Sequence, residues 1–160
     1  MTRPLPPQPH PTTPGACALL IAATLMAGAA GGAAADPLKS AAAEPGAVVT
    51  ASGLVFRSLK EGDGPMPSAT DIVRVHYRGS FPDGKEFDSS HSRGRPAEFP
   101  LDRVIKCWTE GVQRIKVGGK ARLTCPSDIA YGARGTPGGP IPPNAVLQFE
   151  VELLGLVLKQ

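Results

Sequence analysis

Three segments of the chain alternate between apolar and polar residues, the pattern of a β-strand with one covered face. In DIVRVHYRG, which starts at Asp71, the apolar side chains from Val73 to Tyr77 fall on one face and Arg74, His76 and Arg78 fall on the other. KARLTC (120–125) and VLQFEVELL (146–154) repeat the alternation. Sheets with one covered face are usually antiparallel, so the pattern predicts an antiparallel sheet.

One segment changes to a helical period. Val104, Trp108 and Val112 are four residues apart, and Gly118-Gly119 follows as a stop signal. Asp83-Gly84 indicates a hairpin turn, whereas AYGARGTPGGPIPPNA (130–145) is too rich in Gly and Pro to continue a helix or strand, and is expected to be a long loop, ordered or floppy. The residues therefore predict an α+β domain: a curved antiparallel sheet, one short helix and a long loop.

The N-terminal part has the layout of a secretory signal. An uncharged apolar run from Ala16 to Ala30 precedes Ala33-Ala34-Ala35, an A-x-A-like cleavage site. We expect residues 1–35 to be a signal peptide, 36–50 a flexible linker and 51–160 the folded domain, exported to a periplasm or outside the cell. An uncleaved membrane anchor is the alternative; after cleavage no membrane contact is expected.

Charge and cysteine spacing argue against two classes of partner. The 17 basic and 14 acidic residues are nearly balanced and scattered, unlike the clustered basic face that nucleic-acid binding requires. The three cysteines have neither CxxC spacing nor a nearby His pair, so no metal site and no cofactor are predicted.

Two polar features invite a catalytic interpretation that the residues do not support. Asp88, Ser89, Ser90 and His91 are adjacent, but a hydrolytic triad gathers side chains from separate places, and no G-x-S-x-G elbow is present. A polar loop is the better interpretation. His76 lies on the polar face of its strand, which favours a solvated histidine over a general base.

Six runs of residues, in order, carry a resemblance to a known family. They cover about residues 52–158 and read VRVHYRG, DGKEFDSS, RGRPAEFPL, VIKCWTEGVQRIKVGGKARL, SDIAYGARG and IPPNAVLQFEVELL. In this order they resemble the FKBP family of peptidyl-prolyl isomerases, the macrolide-binding immunophilins. The resemblance implies a five- to six-stranded half-barrel sheet wrapped around one short helix, with a shallow apolar pocket.

The resemblance also implies residue roles in that pocket. Trp108 would form the floor and Asp88 the edge; the Ile105 N–H and the Tyr131 hydroxyl would bind substrate carbonyls, and Arg93 would support Asp88. Asp88, Tyr131, Phe149 and Trp108 are thus the candidate catalytic residues. The candidate substrate-binding residues are Tyr77, Phe87, Arg93, Phe99, Val104, Ile105 and Ile141. Composition alone would assign these apolar side chains to the core.

The implied activity is rotation about X-Pro peptide bonds, without a cofactor, in unfolded or partly folded exported proteins. A non-catalytic peptide- or partner-binding module, or a chaperone, is the alternative, and residues 36–50 are too few and too polar for a helical dimer arm, so a monomer is expected. Macrolides are possible ligands. Four positions depart from the family pattern and leave macrolide affinity open: Ala97, Arg103, Cys107 and Pro140.

Cys107 and Cys125 are predicted to form a disulfide. Removal of the signal peptide would leave this even pair in an oxidising compartment. Cys107 shares the apolar stripe of the helix, and Cys125 shares the inward face of a strand, so both sulfurs should enter the layer between helix and sheet. Two buried free thiols are the alternative.

Overall fold

The described part of the chain, residues 35–157 of a computed structural model, is built on a single antiparallel sheet. Its seven strands are β1 (Ala47–Val49), β2 (Val55–Lys60), β3 (Ile72–Ser80), β4 (Glu86–Ser89), β5 (Ala97–Pro100), β6 (Lys120–Cys125) and β7 (Leu147–Val157). The strand order is β1-β2-β6-β7-β3-β4, and β5 also pairs with β3. The α+β fold class is confirmed, with seven strands in place of five or six.

Strand β3 is the centre of this arrangement. It pairs with β7 on one side and with β4 and then β5 on the other, which places Gly79 opposite both Asp88 and Phe149. The alternation read from the sequence is confirmed, because Val73, Val75 and Tyr77 are buried while the residues between them are more exposed. Alternation therefore determines which side chains of β3 face the core.

Helix α2 (Lys106–Val112) covers the inward face of the sheet. It is shorter than the four-residue spacing suggests, because Val104 precedes it, next to a 3-10 turn at Leu101–Arg103. Gly111 allows the helix to approach the sheet closely: a Cβ there would lie 2.7 Å from the side chain of Leu123 on β6. The buried face of α2 consists of Cys107, Trp108, Gly111 and Val112.

The predicted disulfide is confirmed: Cys107 on α2 is bonded to Cys125 on β6, with 5.9 Å between their Cα atoms. Both residues are fully buried. The bond therefore joins the helix to the sheet inside the core, one residue before Trp108.

The stretch expected to be a flexible linker, residues 36–50, contains a helix and a strand. Asp36 is the N-cap of helix α1 (Pro37–Ala42), and its side chain accepts a 3.0 Å hydrogen bond from the Leu38 N–H. Strand β1 then pairs with β2, and Glu44 forms ion pairs with Arg57 and Arg122 on the sheet. Ala, Pro and Gly content suggested a loose arm; a side-chain cap and long-range ion pairs, which composition does not reveal, hold the segment in place.

The predicted signal peptide lies outside the described residues except for Ala35. Within residues 35–157, no helix is both long enough and apolar enough to cross a bilayer.

Candidate functional site

An apolar cavity of about 150 Å³ opens where β3, β4, β5 and β7 meet the start of α2. Its lining consists of Tyr77, Phe87, Asp88, Phe99, Val104, Ile105, Trp108, Tyr131 and Phe149. All nine are residues for which the sequence predicts a role. Of the other two candidates, Ile141 is buried in the core. Arg93 contacts two cavity residues: it donates hydrogen bonds to Asp88 and Tyr77, and its guanidinium lies over the Tyr77 ring at 5.5 Å.

The Trp108 side chain is the centre of the aromatic lining. The rings of Tyr77, Phe99 and Phe149 meet it edge-on, with centroid separations of 5.2, 5.4 and 5.4 Å. Edge-to-face pairs at these separations are favourable beyond the area they bury. Trp108, Tyr77 and Phe149 are nearly inaccessible to solvent. Only a small part of each ring faces the cavity, and together these parts form an apolar surface against which a small ring could bind.

Gly79, which the sequence analysis did not single out, makes room for two of the aromatic rings. A Cβ at this position would lie 2.7 Å from Phe87 Cζ and 3.0 Å from Phe149 Cε1. The rings of Phe87 and Phe149 therefore occupy the space that any other side chain would fill. The available signal was a glycine inside a predicted strand, which often marks a close approach.

Asp88 is held at the cavity edge by two side-chain donors and by the Ser89 N–H, which donates to Oδ1 at 2.9 Å. The Tyr77 hydroxyl donates to one carboxylate oxygen at 2.6 Å, and the Arg93 guanidinium donates to the other at 2.6 Å. Arg93 also donates to the Tyr77 oxygen at 2.6 Å, closing the network. Partial burial acts to raise the pKa of Asp88, but the hydrogen bonds from Tyr77 and Arg93 outweigh it and lower the pKa, so this carboxylate is ionised at neutral pH.

Some hydrogen-bond donors at the cavity have no acceptor among the described residues. Two of them are the backbone N–H of Ile105, the N-cap residue of α2, and the hydroxyl of Tyr131. Burial, with a smaller effect from the charge of Asp88, raises the pKa of Tyr131, which keeps its hydroxyl protonated and able to donate. The cavity thus combines an apolar surface with two free donors, an arrangement suited to binding carbonyl oxygens.

The polar residues after Asp88 support the site from behind. The Ser90 hydroxyl accepts a 2.9 Å hydrogen bond from the Tyr77 N–H, and the Ser90 N–H donates to the Tyr77 carbonyl at 3.0 Å. His76 was expected to be solvated; it is half-buried, with Nδ1 2.9 Å from Ser90 Oγ and its ring stacked on His91 at 4.7 Å. Ser90 is therefore a positioning residue for Tyr77 that the sequence analysis assigned to a polar loop.

Among residues 35–157, no group of three or more His, Cys, Asp or Glu side chains is arranged to hold an ion. Of the four positions that depart from the family pattern, Cys107 is in the disulfide, and Ala97, Arg103 and Pro140 lie outside the cavity lining.

Comparison with family models and curated proteins gives one consistent result. The model described as FKBP-type peptidyl-prolyl cis-trans isomerase matches residues 64–154. The chain is 52% identical over 119 residues to the FKBP-type peptidyl-prolyl cis-trans isomerase FkpA of Aeromonas hydrophila, covering 74% of this chain and 44% of that protein. It is 49% identical over 120 residues to the FKBP-type 22 kDa peptidyl-prolyl cis-trans isomerase of Escherichia coli K12, covering 75% of this chain and 58% of that protein. The chain thus spans about half the length of these relatives.

Solved structures give the same result. The crystal structure of FkpA from Escherichia coli superposes with a TM-score of 0.71 at 47% identity, covering 74% of this chain and 55% of that one. The 1.6 Å crystal structure of a peptidyl-prolyl cis-trans isomerase from Pseudomonas syringae pv. tomato DC3000 has a TM-score of 0.71 at 42% identity, covering 76% of this chain and 89% of that one.

Proposed function

This chain belongs to the FKBP-type peptidyl-prolyl cis-trans isomerases, and on that premise we propose that its folded domain catalyses rotation about X-Pro peptide bonds. The single observation that carries the proposal is the aromatic cavity in which two free hydrogen-bond donors stand beside the Trp108 ring. An X-Pro segment offers the matching features, a compact apolar ring flanked by backbone carbonyls.

The barrier to be lowered comes from amide resonance. Twisting the X-Pro bond breaks this resonance at a cost of about 18 to 20 kcal/mol, and the uncatalysed reaction takes tens to hundreds of seconds. The planar amide carries more charge separation than the twisted one, so an apolar surface disfavours the ground state more than the transition state. A thousandfold acceleration requires only about 4 kcal/mol, and this route needs no covalent step.

The proposed residue roles follow from this chemistry. Trp108 and Phe149 hold the proline ring, while the Ile105 N–H and the Tyr131 hydroxyl bind the carbonyls that flank it and so align the segment. Phe87, Phe99 and Val104 shape the walls of the site, and Ile141, packed in the core, does not line it.

Asp88 has two possible contributions, and the network with Tyr77 and Arg93 bears on both. Its ionised carboxylate at the cavity edge is an electrostatic partner for the carbonyl carbon as the bond twists. The same carboxylate also keeps the Tyr77 ring in place through a 2.6 Å hydrogen bond. Substitution of Asp88 by Asn, which keeps the shape and removes the charge, separates the electrostatic contribution from the structural one.

We further propose that the chain is exported and acts as a monomer on proline-containing proteins that have not finished folding. Support for export comes from the signal-like residues 1–35 and from a disulfide, which persists in oxidising compartments. If cleavage follows Ala35, N-terminal sequencing of the exported protein starts at Asp36; a start at Met1 in the membrane fraction contradicts it.

We also propose that the chain binds macrolides, which would occupy the proline cavity. Ala97 leaves the adjoining wall open, so we expect only weak affinity. Titration of the intrinsic fluorescence of Trp108, the only tryptophan in the chain, with a macrolide measures it directly.

An isomerisation assay on the purified chain tests the activity. We expect a blocked Leu-Pro peptide to isomerise faster in proportion to enzyme concentration, with the acceleration competed by a second proline peptide. Binding of the peptide without acceleration would instead identify a non-catalytic binding module.

A further inference from the structure

A second groove adjoins the proline cavity and shares two of its residues. This groove, of about 470 Å³, shares Tyr77 and Phe99 with the cavity. The rest of its lining is Arg93, Arg95, Pro96, Ala97 and Glu98. The two spaces therefore lie side by side, with Tyr77 and Phe99 between them. A peptide whose proline lies on Trp108 would pass this groove with a residue on one side of the proline.

The lining of the groove includes one small side chain on β5. Ala97 lies in its lining, between Pro96 and Glu98, at the first residue of the strand. Pro96 restricts the backbone at the entrance. The groove is thus a built recess with room for one side chain of the substrate.

The charges on the groove are matched except for one. Arg93 is engaged by Asp88 and the Tyr77 hydroxyl. Glu98 accepts two hydrogen bonds from Arg74, at 2.9 and 2.7 Å. Arg95 is exposed and forms no ion pair with any carboxylate of residues 35–157.

An arginine without an ion-pair partner, on the wall of a recess that admits a substrate side chain, suits a carboxylate. The guanidinium group presents a planar set of donors that pairs with both oxygens of Asp or Glu. We propose that this groove is a side-chain subsite of the isomerase and that Arg95 makes it favour substrates with an acidic residue near the proline. The proposal rests on the isomerase function proposed above and specifies its substrate class.

A second arginine-lined cavity in the described region shows why unmatched charge matters. It lies on the outer face of the sheet, and its two arginines are Arg78 and Arg122. Arg78 is paired with Glu86, and Arg122 with Glu150 and Glu44, so both are already neutralised. An acidic ligand there would have to displace existing partners, whereas at Arg95 it displaces only water.

The expected preference is modest because Arg95 is exposed. Solvent-exposed ion pairs correspond to about a two- to fivefold change in affinity, and salt screens them. The preference should therefore be visible at low ionic strength and weaken strongly in 0.5 M NaCl.

The test uses the full chain and blocked peptides with a single Leu-Pro bond. Glu, Gln or Lys is placed either two residues before or two residues after the proline, and kcat/KM is measured by NMR exchange, which requires no coupling protease. The variants are Arg95→Gln and Arg95→Glu. The matched controls are Lys116→Gln and Lys116→Glu, which make the same charge changes at an exposed lysine with no ion pair among the described residues and outside both recesses.

We expect the wild-type chain to prefer Glu over Gln by about two- to fivefold in one of the two placements. Arg95→Gln should remove this preference, and Arg95→Glu should invert it toward Lys. The Lys116 variants should keep the wild-type ratio.

Two results would overturn the subsite. One is a Glu-to-Gln ratio of one in both placements at low salt, and the other is a ratio that Arg95→Glu and Lys116→Glu change equally, which would indicate net charge alone. Failure of the isomerase proposal looks different: in that case no peptide, including the Gln peptides, is accelerated at all.

Discussion

Strands β3 and β7 carry a cavity on each of their two faces, and the two cavities differ in chemistry far more than in size. The inner one, of about 150 Å³, is lined mainly by aromatic and aliphatic side chains. The outer one, of about 200 Å³, is lined by polar and charged residues and a glycine. Neighbouring residues contribute to opposite faces: Phe149 lies in the inner cavity, whereas Gln148 and Glu150 lie in the outer one.

Cavity volume therefore does not identify the functional site; the state of the polar groups in the cavity does. On the outer face, Arg122 donates to Glu150 at 2.8 Å and Lys120 lies 3.4 Å from the same carboxylate, so the charges satisfy one another. On the inner face, the Ile105 N–H and the Tyr131 hydroxyl have no acceptor within the described residues. Donors that remain free beside an apolar surface are what a substrate can use.

The largest expected effect on stability comes from the disulfide between Cys107 and Cys125, which joins α2 to β6. The oxidised chain should be more stable than the reduced chain by about 3 kcal/mol, because the disulfide closes a loop with a sequence separation of 18 residues in the unfolded state. Urea unfolding of the oxidised protein and of protein reduced while unfolded measures the difference without any change of sequence. A difference below about 1 kcal/mol would contradict a stabilising bridge.

The next effect concerns the space that Gly79 leaves for the rings. Gly79→Ala should destabilise the fold by about 1 to 3 kcal/mol and lower kcat/KM, because Phe87 and Phe149 must move. Gly155→Ala on β7 is the matched control, since a Cβ there meets nothing within 4 Å. Equal behaviour of the two variants in thermal unfolding and in the isomerase assay would refute the role of Gly79.

The sequence predicted the strands of the sheet and the disulfide better than it predicted the N-terminal segment and the groove. Alternation identified β3, β6 and β7 because their inward side chains are buried against the helix, and the cysteine phases identified the bridge. The sequence did not reveal α1 or β1, since their order depends on Glu44 reaching Arg57 and Arg122 across the sheet. Nor did it predict the groove at Arg95, because an unpaired charge is known only once every neighbouring carboxylate has been placed.

The hydrogen-bond network of Asp88, Tyr77 and Arg93 at the cavity edge is expected to make a smaller contribution to stability. Hydrogen bonds from Tyr77 and Arg93 lower the pKa of Asp88 in the folded state, so its contribution to stability is complete above the ordinary Asp pKa of about 3.9 and is lost as pH falls through the folded value. The carboxylate is partly exposed, so the contribution is about 1 kcal/mol or less. Asp88→Asn should therefore flatten the acid side of the stability profile; the same acid slope as wild type would contradict the assignment.

The smallest effect is expected on the outer face. Arg122→Gln breaks partly exposed ion pairs with Glu150 and Glu44, and should lower the free energy of unfolding by under about 1 kcal/mol, less in high salt, with kcat/KM unchanged. Chemical unfolding at low and high ionic strength, together with the isomerase assay, measures both effects. A fall in kcat/KM that the small loss of stability does not explain would mean that the outer face, not the inner one, carries the activity.

The most direct test of the inner face as the active one compares two neighbouring residues of β7. Phe149→Leu keeps the core apolar but removes edge-to-face contacts with Trp108 and Phe87, at centroid separations of 5.4 and 5.7 Å. Gln148→Ala alters only the outer cavity. For a blocked Leu-Pro peptide, we expect kcat/KM to fall about tenfold in Phe149→Leu, equivalent to about 1.4 kcal/mol, and to stay within about twofold of wild type in Gln148→Ala. Equal kcat/KM values for the two variants would contradict an active site on the inner face.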